Sequence, residues 1–322
     1  MFRLKIVVLE PLGISEEEIL KIAKPITENG HEIIVHKNRI EDVEVLKERA
    51  RDAEVLVVAN MPLKGEVINS DNSLKMISVA FTGVDHVDLK ACKEKNVTVC
   101  NAAGYSTPSV AELTYGLIFS VLRNIVPLDK AVREGKTKEG FSQLDLCGKT
   151  IGVVGTGAIG AKVAEIALAF GCKVLAYNRS EKESLKAKGV TYVSLDELLC
   201  QSDIVTIHTP LNASTKGLIS KEKISMMKSN AILINTARGP IVDNAALAEA
   251  LKEGKIAGAG IDVFDMEPPL PLDYPLLSAP NTVLAPHIGF ATKEAMARRA
   301  HITFGNIEKW MEGKPENLVT LQ

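Results

Sequence analysis

One hexapeptide constrains this chain more than any other feature: Gly155-Thr156-Gly157-Ala158-Ile159-Gly160, placed directly after the β-branched run Ile151-Gly152-Val153-Val154 and opening a helical stretch from Ala161 to Phe170. A G-x-G-x-x-G spacing says little alone, but between a strand and a helix it builds a phosphate site. Gly155 permits the tight turn, Gly157 lets backbone approach a pyrophosphate, and Gly160 lets helix pack closely on strand, with Ala158 and Ile159 between them also expected at the cofactor. Further runs at Lys173–Tyr177, Ile204–His208, Ala231–Asn235, Ala259–Val263 and Thr282–Ala285 bring the series to six strands with helices between them. That succession predicts a complete Rossmann-type dinucleotide-binding domain.

The first hundred residues repeat the alternation on a smaller scale. Short runs at Lys5–Leu9, Glu32–His36, Glu54–Ala59, Lys75–Ala80 and Val97–Cys100 are separated by helix-period segments over 15–29, 41–50, 64–70 and 87–95. This predicts a parallel sheet with crossover helices, a smaller flavodoxin-like α/β unit. Glu10-Pro11-Leu12-Gly13 after the first run offers a single glycine, so no cofactor is assigned there. Thr107 before Pro108 marks the start of a long helix reaching Leu122, expected to join two domains. A last helix, Thr292 to Trp310, places Met296, Ala300, Phe304, Ile307 and Met311 on one apolar face and is expected to return to the first domain. With 322 residues, too many for one core, the expected division is a discontinuous α/β substrate domain of residues 1–100 and 292–322 and a dinucleotide-binding domain of residues 101–291.

Composition removes several function classes. Lys plus Arg number 38 against 40 Asp plus Glu, and a net charge of −2 provides no field to hold nucleic acid or an anionic membrane. The five cysteines are scattered without CxxC spacing, so they read as buried thiols of a reducing compartment. No run approaches the roughly 20 apolar residues of a membrane span, and a soluble cytoplasmic protein is expected. No HxxxH or HExxH pattern suggests a metal, and no GxSxG elbow suggests a nucleophilic serine.

Cofactor choice is read at the end of the second strand of the dinucleotide series. A NAD-selective fold places an acid there to hold both ribose hydroxyls, but the run here is Tyr177-Asn178-Arg179-Ser180. Asn178 can bond a sugar without repelling a 2′-phosphate, while Arg179 and Ser180 offer charge and a donor for it. NADP(H) is favoured; NAD(H) is retained if Arg179 and Lys182 are solvated surface charges.

Open α/β sheets bind ligands at the carboxyl ends of their strands, which singles out Arg238, Glu267 and His287. Reducing a 2-oxo acid needs a clamp for the carboxylate, a polarising group for the ketone and a proton donor. Arg238 can grip carboxylate and carbonyl oxygen with its planar fork. His287 can give or take the proton, with Glu267 orienting the ring and favouring the imidazolium. His31, His36 and His301 are assigned structural or solvent roles, and His208, at a strand end, borders the cofactor without a carboxylate partner.

The chain resembles the D-2-hydroxyacid dehydrogenase family, the group of phosphoglycerate dehydrogenase, glycerate dehydrogenase (hydroxypyruvate reductase) and glyoxylate reductase. FTGVDHVDL (81–89), NAAGYSTPSVAEL (101–113), GKTIGVVGTGAIG (148–160), HTPLN (208–212), INTARGPIVD (234–243), GIDVFDMEP (260–268) and APHIGFAT (285–292) carry the resemblance over nearly the whole length. It implies that Arg238, Glu267 and His287 are the catalytic groups and that backbone at Gly83 and Val84 meets the substrate carboxylate. It further implies that Ile159, Thr209, Thr236, Ala237 and Asp262 line the cofactor, Asp262 near the nicotinamide amide, with Thr82 near the domain junction. A homodimer through the cofactor domain, with residues around 120–146 reaching across, and a cleft closed by hinge motion are also implied. Asn178 departs from the family's usual Asp, and Asn-Arg-Ser resembles NADP-using glyoxylate and hydroxypyruvate reductases. Retention of Glu267 argues against the formate dehydrogenase branch, and the lack of an extension after Gln322 against the long, serine-regulated phosphoglycerate dehydrogenases. The expected activity is NAD(P)H-dependent reduction of a small 2-oxo acid; reduction of 2-imino acids and a dinucleotide-sensing scaffold like the C-terminal-binding-protein corepressors are the alternatives.

Overall fold

The computed structural model describes residues 3–321, and the chain divides into two compact units, Met1–Ser106 with Ala291–Gln322, and Thr107–Phe290. The first unit runs β1 (Lys5–Val8), α1 (Glu16–Ile22), α2 (Lys24–Glu28), β2 (Glu32–Val35), α3 (Val43–Ala50), β3 (Val55–Val58), α4 (Gly65–Ile68), β4 (Met76–Val79), α5 (Leu89–Glu94) and β5 (Thr98–Asn101). Its strands pair in parallel in the order β2-β1-β3-β4-β5, the flavodoxin-like arrangement. Every residue of β3 and β4 is buried, as strands covered on both faces require. The segment expected as one helix over 15–29 is two, because Ala23 closes α1 and Pro25, which has no N–H to give, sits in the first turn of α2. The unit extends past residue 100 because the Asn101 N–H donates to the Asn317 carbonyl and Asn306 Nδ2 donates to the Asn101 carbonyl.

The second unit runs α6 (Thr107–Leu122), α7 (Ile125–Arg133), β6 (Thr150–Val154), α8 (Ala158–Ala169), β7 (Lys173–Tyr177), α9 (Glu183–Lys186), β8 (Thr191–Tyr192), α10 (Leu195–Gln201), β9 (Ile204–Ile207), α11 (Lys221–Ser225), β10 (Ile232–Asn235), α12 (Asn244–Lys252), β11 (Gly258–Ile261) and β12 (Thr282–Leu284). Its parallel sheet is seven-stranded, β12-β11-β10-β9-β6-β7-β8, and its direction of winding reverses between β6 and β9. The strand absent from the six expected is β8, two residues long. One face of the sheet packs Val205, Leu233 and Ile261 against Leu198, Leu247, Leu251 and Leu276. Ile151, Val153 and Ile234 pack on Leu117, Ile118, Val163 and Ala164 of α6 and α8. α13 (Lys293–Met311), capped by the Thr292 side chain, belongs to the first unit, where Phe304 and Ile307 join the core of Ile6, Val8, Val55 and Val57.

Among the described residues no single helix is long and apolar enough to cross a membrane. α6 and α7 pass the length and composition test only as a pair bent by 58°, and Val110, Ala111, Leu117 and Ile118 of α6 are buried. All five cysteines are free, but Cys147 and Cys200 are exposed, which corrects the expectation of buried thiols throughout. Burial pushes Cys92 up to about 12 and Cys100 and Cys172 to about 11.

Candidate active site

The dinucleotide turn is built by excluding side chains. Gly155 sits at φ +93 and donates its N–H to the Tyr177 carbonyl at 2.8 Å. A Cβ there would lie 2.8 Å from the backbone of His208 and Thr209, and one on Gly160 would overlap the Gly155 carbonyl. Gly157 differs: nothing lies within 4 Å of a Cβ placed there, and as N-cap of α8 it offers no side chain to satisfy the first N–H groups. Unsatisfied donors at the start of a 12-residue helix, opening on free space, fit a pyrophosphate. Gly155, Gly157, Ala158 and Ile159 are therefore the residues that would hold it, with Gly160 fixing the helix behind them.

The turn after β7 is tied to that loop. Asn178 Oδ1 accepts from the Thr156 N–H at 3.3 Å, and Asn178 Nδ2 donates to the Ser180 carbonyl at 2.7 Å. Arg179 and Ser180 are exposed on the turn so formed. His208, after β9, has Nε2 2.8 Å from Thr206 Oγ1, and loss of water around its ring pushes its pKa down to about 3. It is a neutral buttress of the Gly155 turn, and Thr209 follows it at the same edge.

Three adjacent parallel strands, β10, β11 and β12, deliver the polar trio to one edge. Arg238 follows β10 in an extended conformation (φ −147, ψ 136), just ahead of a 3-10 turn over Gly239–Ile241. Asn235, fully buried, accepts from the Ala237 N–H and donates Nδ2 to the Arg238 carbonyl, each at 3.0 Å. Arg238 Nη1 donates to the Ala237 carbonyl at 2.8 Å, and Thr236 Oγ1 lies 3.0 Å from Thr114 Oγ1. A Cβ on Gly239 would overlap the Phe264 carbonyl, so only glycine lets the Arg238 loop lie against the loop after β11. On that second loop Tyr274 donates its hydroxyl to Asp265 Oδ1 at 2.6 Å, anchoring the chain two residues before Glu267.

His287 Nδ1 lies 3.0 Å from both Glu267 oxygens, and its ring meets Phe290 edge-on with centroids 5.1 Å apart. The imidazole is mostly covered and the carboxylate open, with side-chain exposures of 14% and 72%. His287 adopts φ +56, uncommon for a residue with a side chain. Asp262 explains how this is held: its carbonyl accepts from the His287 N–H at 2.8 Å, and its carboxylate oxygens accept from Ile288 N–H at 2.8 Å and Gly289 N–H at 2.9 Å. Burial raises the pKa of Asp262, against the opposing pull of those two donors. Both of its oxygens are thus engaged by the histidine loop, a role the sequence does not disclose, since a carboxylate at a strand end serves a ligand or a loop equally well.

Thr82, Gly83 and Val84 lie in the first unit, past β4. The Thr82 carbonyl accepts from Asn101 Nδ2 at 2.8 Å, and the Val84 carbonyl accepts from the Val87 N–H at 3.0 Å, closing a turn.

Residues 115–289 match the family model "D-isomer specific 2-hydroxyacid dehydrogenase, NAD binding domain". The chain is 40% identical over 286 residues to the glycerate dehydrogenase of Methylorubrum extorquens, covering 86% of this chain and 88% of that protein. It is 40% identical over 283 residues to the glyoxylate reductase of Korarchaeum cryptofilum, covering 85% of each. Among solved structures, an acyclic imino acid reductase in complex with NADPH and D-Arg superposes with a TM-score of 0.89 at 31% identity, covering 98% of this chain and 100% of that one. With the glycine turn, the strand order and these relatives in agreement, the chain belongs to the D-isomer-specific 2-hydroxyacid dehydrogenases, nicotinamide-dependent oxidoreductases acting on the CH–OH group of 2-hydroxy acids.

Proposed function

We propose that the protein works chiefly as an NADPH-dependent reductase of small 2-oxo acids of the glyoxylate and hydroxypyruvate class. The observation that carries this is the His287–Glu267 pair at 3.0 Å, on the loops after β12 and β11, with Arg238 on the loop after β10, the next strand in the sheet. With Nδ1 engaged by the carboxylate, Nε2 is the nitrogen left to give a proton to the ketone oxygen in reduction and take it back in oxidation. Arg238 presents a planar fork that suits a carboxylate and the neighbouring carbonyl oxygen together. The bound dinucleotide supplies the hydride in reduction and receives it in oxidation.

Cofactor contacts are assigned to Gly155, Gly157, Ala158, Ile159, Gly160, Thr209, Thr236, Ala237 and Thr82, with the 2′-phosphate taken by Asn178, Arg179 and Ser180. Asp262 borders the nicotinamide through the loop it holds. Backbone at Gly83 and Val84 is assigned to the substrate carboxylate. These roles come from the family resemblance and from the exposure of the Asn178–Ser180 turn.

Reduction of 2-imino acids is the second reading, favoured by the likeness to the imino acid reductase solved with NADPH. Turnover of glyoxylate, hydroxypyruvate, pyruvate, branched 2-oxo acids and a pyruvate–methylamine mixture, each with NADPH and NADH, separates the readings. Rates highest on the short 2-oxo acids with NADPH support the first; rates that require the amine support the second; dinucleotide binding with no turnover refutes both in favour of a scaffold.

A homodimer in the cytoplasm completes the proposal. Ile125, Val126 and Val132 of α7 are 50%, 56% and 69% exposed, an apolar face suited to a second copy, and five free thiols suit a reducing compartment. Light scattering on the purified protein tests the first point, and a monomer at working concentrations refutes it.

A further inference from the structure

We propose that Tyr192 is a specificity-positioning residue: its hydroxyl fixes the turn that presents Arg179 and Ser180, and so sets the preference between NADPH and NADH. The proposal rests on the assignment of that turn to the 2′-phosphate. Tyr192 is on β8, the two-residue edge strand, in register with Ala176 of β7 and therefore beside the end from which the turn departs. Its hydroxyl donates to Thr156 Oγ1 at 3.0 Å and accepts from the Lys182 N–H at 3.2 Å. Thr156 is fully buried inside the glycine turn, and its own N–H donates to Asn178 Oδ1 at 3.3 Å. The segment from Asn178 to Lys182 is thus fastened at both ends to one residue of the phosphate loop, through Asn178 at its start and Tyr192 at its finish.

Arg179 lies between those anchors. It is exposed, and among the described residues no hydrogen bond or ion pair holds its side chain in place. The position of its guanidinium is set by the backbone beneath it. A phenyl ring in place of Tyr192 fills the same space and keeps the apolar contacts of β8, but removes both bonds of the hydroxyl and frees the Lys182 end. The ribose side of the turn, held by Asn178, stays fastened. A dinucleotide lacking the 2′-phosphate should therefore feel the change least.

The test is Tyr192→Phe, with KM and kcat measured for NADPH and NADH and melting temperature as a check on folding. Loss of a net hydrogen bond's worth of positioning predicts a KM for NADPH raised about three- to tenfold, with that for NADH and both kcat values changed less than about twofold. An equal rise for both cofactors, or none for either, overturns the proposal. In an Arg179→Ala background the same substitution should have no further effect on NADPH; full additivity shows that Tyr192 does not act through Arg179. The cofactor assignment fails separately, if the wild-type protein itself shows no preference for NADPH.

Discussion

At the β6-β7-β8 end of the second sheet the architecture depends on side chains that are missing, whereas at the β10-β11-β12 end it depends on side chains that are held. Gly155 and Gly160 remove atoms so that backbone can close on backbone, and Gly157 leaves donors bare. Arg238, Glu267 and His287 are carried on loops, each restrained by a polar neighbour: buried Asn235 under Arg238, buried Tyr274 bonded to exposed Asp265 ahead of Glu267, and buried Asp262 under His287. The first end should therefore fail when atoms are added, and the second when they are taken away or exchanged.

Substitutions can break or sharpen that contrast. His287→Gln should lower kcat by about 10²–10⁴, the usual worth of a positioned acid–base group, while NADPH binding followed by fluorescence stays near wild type. Arg238→Lys keeps the charge but loses the fork, and kcat/KM for 2-oxo acids should fall on the order of 10². Gly160→Ala adds one carbon against the Gly155 carbonyl and should cost about 1–3 kcal/mol of stability in denaturant melts, with dinucleotide affinity reduced ahead of catalysis by bound cofactor. Asn178→Asp combined with Arg179→Ala should shift the NADPH to NADH ratio of kcat/KM by about tenfold toward NADH, since a carboxylate repels a phosphate and accepts ribose hydroxyls. The last prediction concerns pH. His208 stays neutral in the fold to about pH 3, whereas the unfolded chain takes up a proton near 6.5. Its contribution is complete above pH 6.5 and is lost as pH falls toward 3, so melts of His208→Asn against wild type should converge with acidification.

Why some of this is legible in the sequence and some not follows from local physics. Parallel strands write themselves as β-branched runs, so both α/β units and the glycine turn are readable, and residues just past the strands fall at the same edge because all strands point one way. Glu267 and His287, 20 residues apart, meet for that reason. A two-residue strand has no period to detect, so β8 and the hydroxyl it carries are invisible until the sheet is assembled. Asp262 and Asn235 are silent for another reason: a buried polar side chain bonds to backbone N–H and C=O groups that every residue possesses. Pro25 could have announced the break between α1 and α2, since a helix interior rarely tolerates it.

The outermost strands of the second sheet are also its shortest, two residues in β8 and three in β12. Little unpaired backbone is offered at either rim, which blunts the ribbon-to-ribbon stacking that leads flat sheets to aggregate. Any association through this unit is thereby steered to helical surfaces, where side-chain shape dictates who fits, and away from the indiscriminate ladder of the peptide groups.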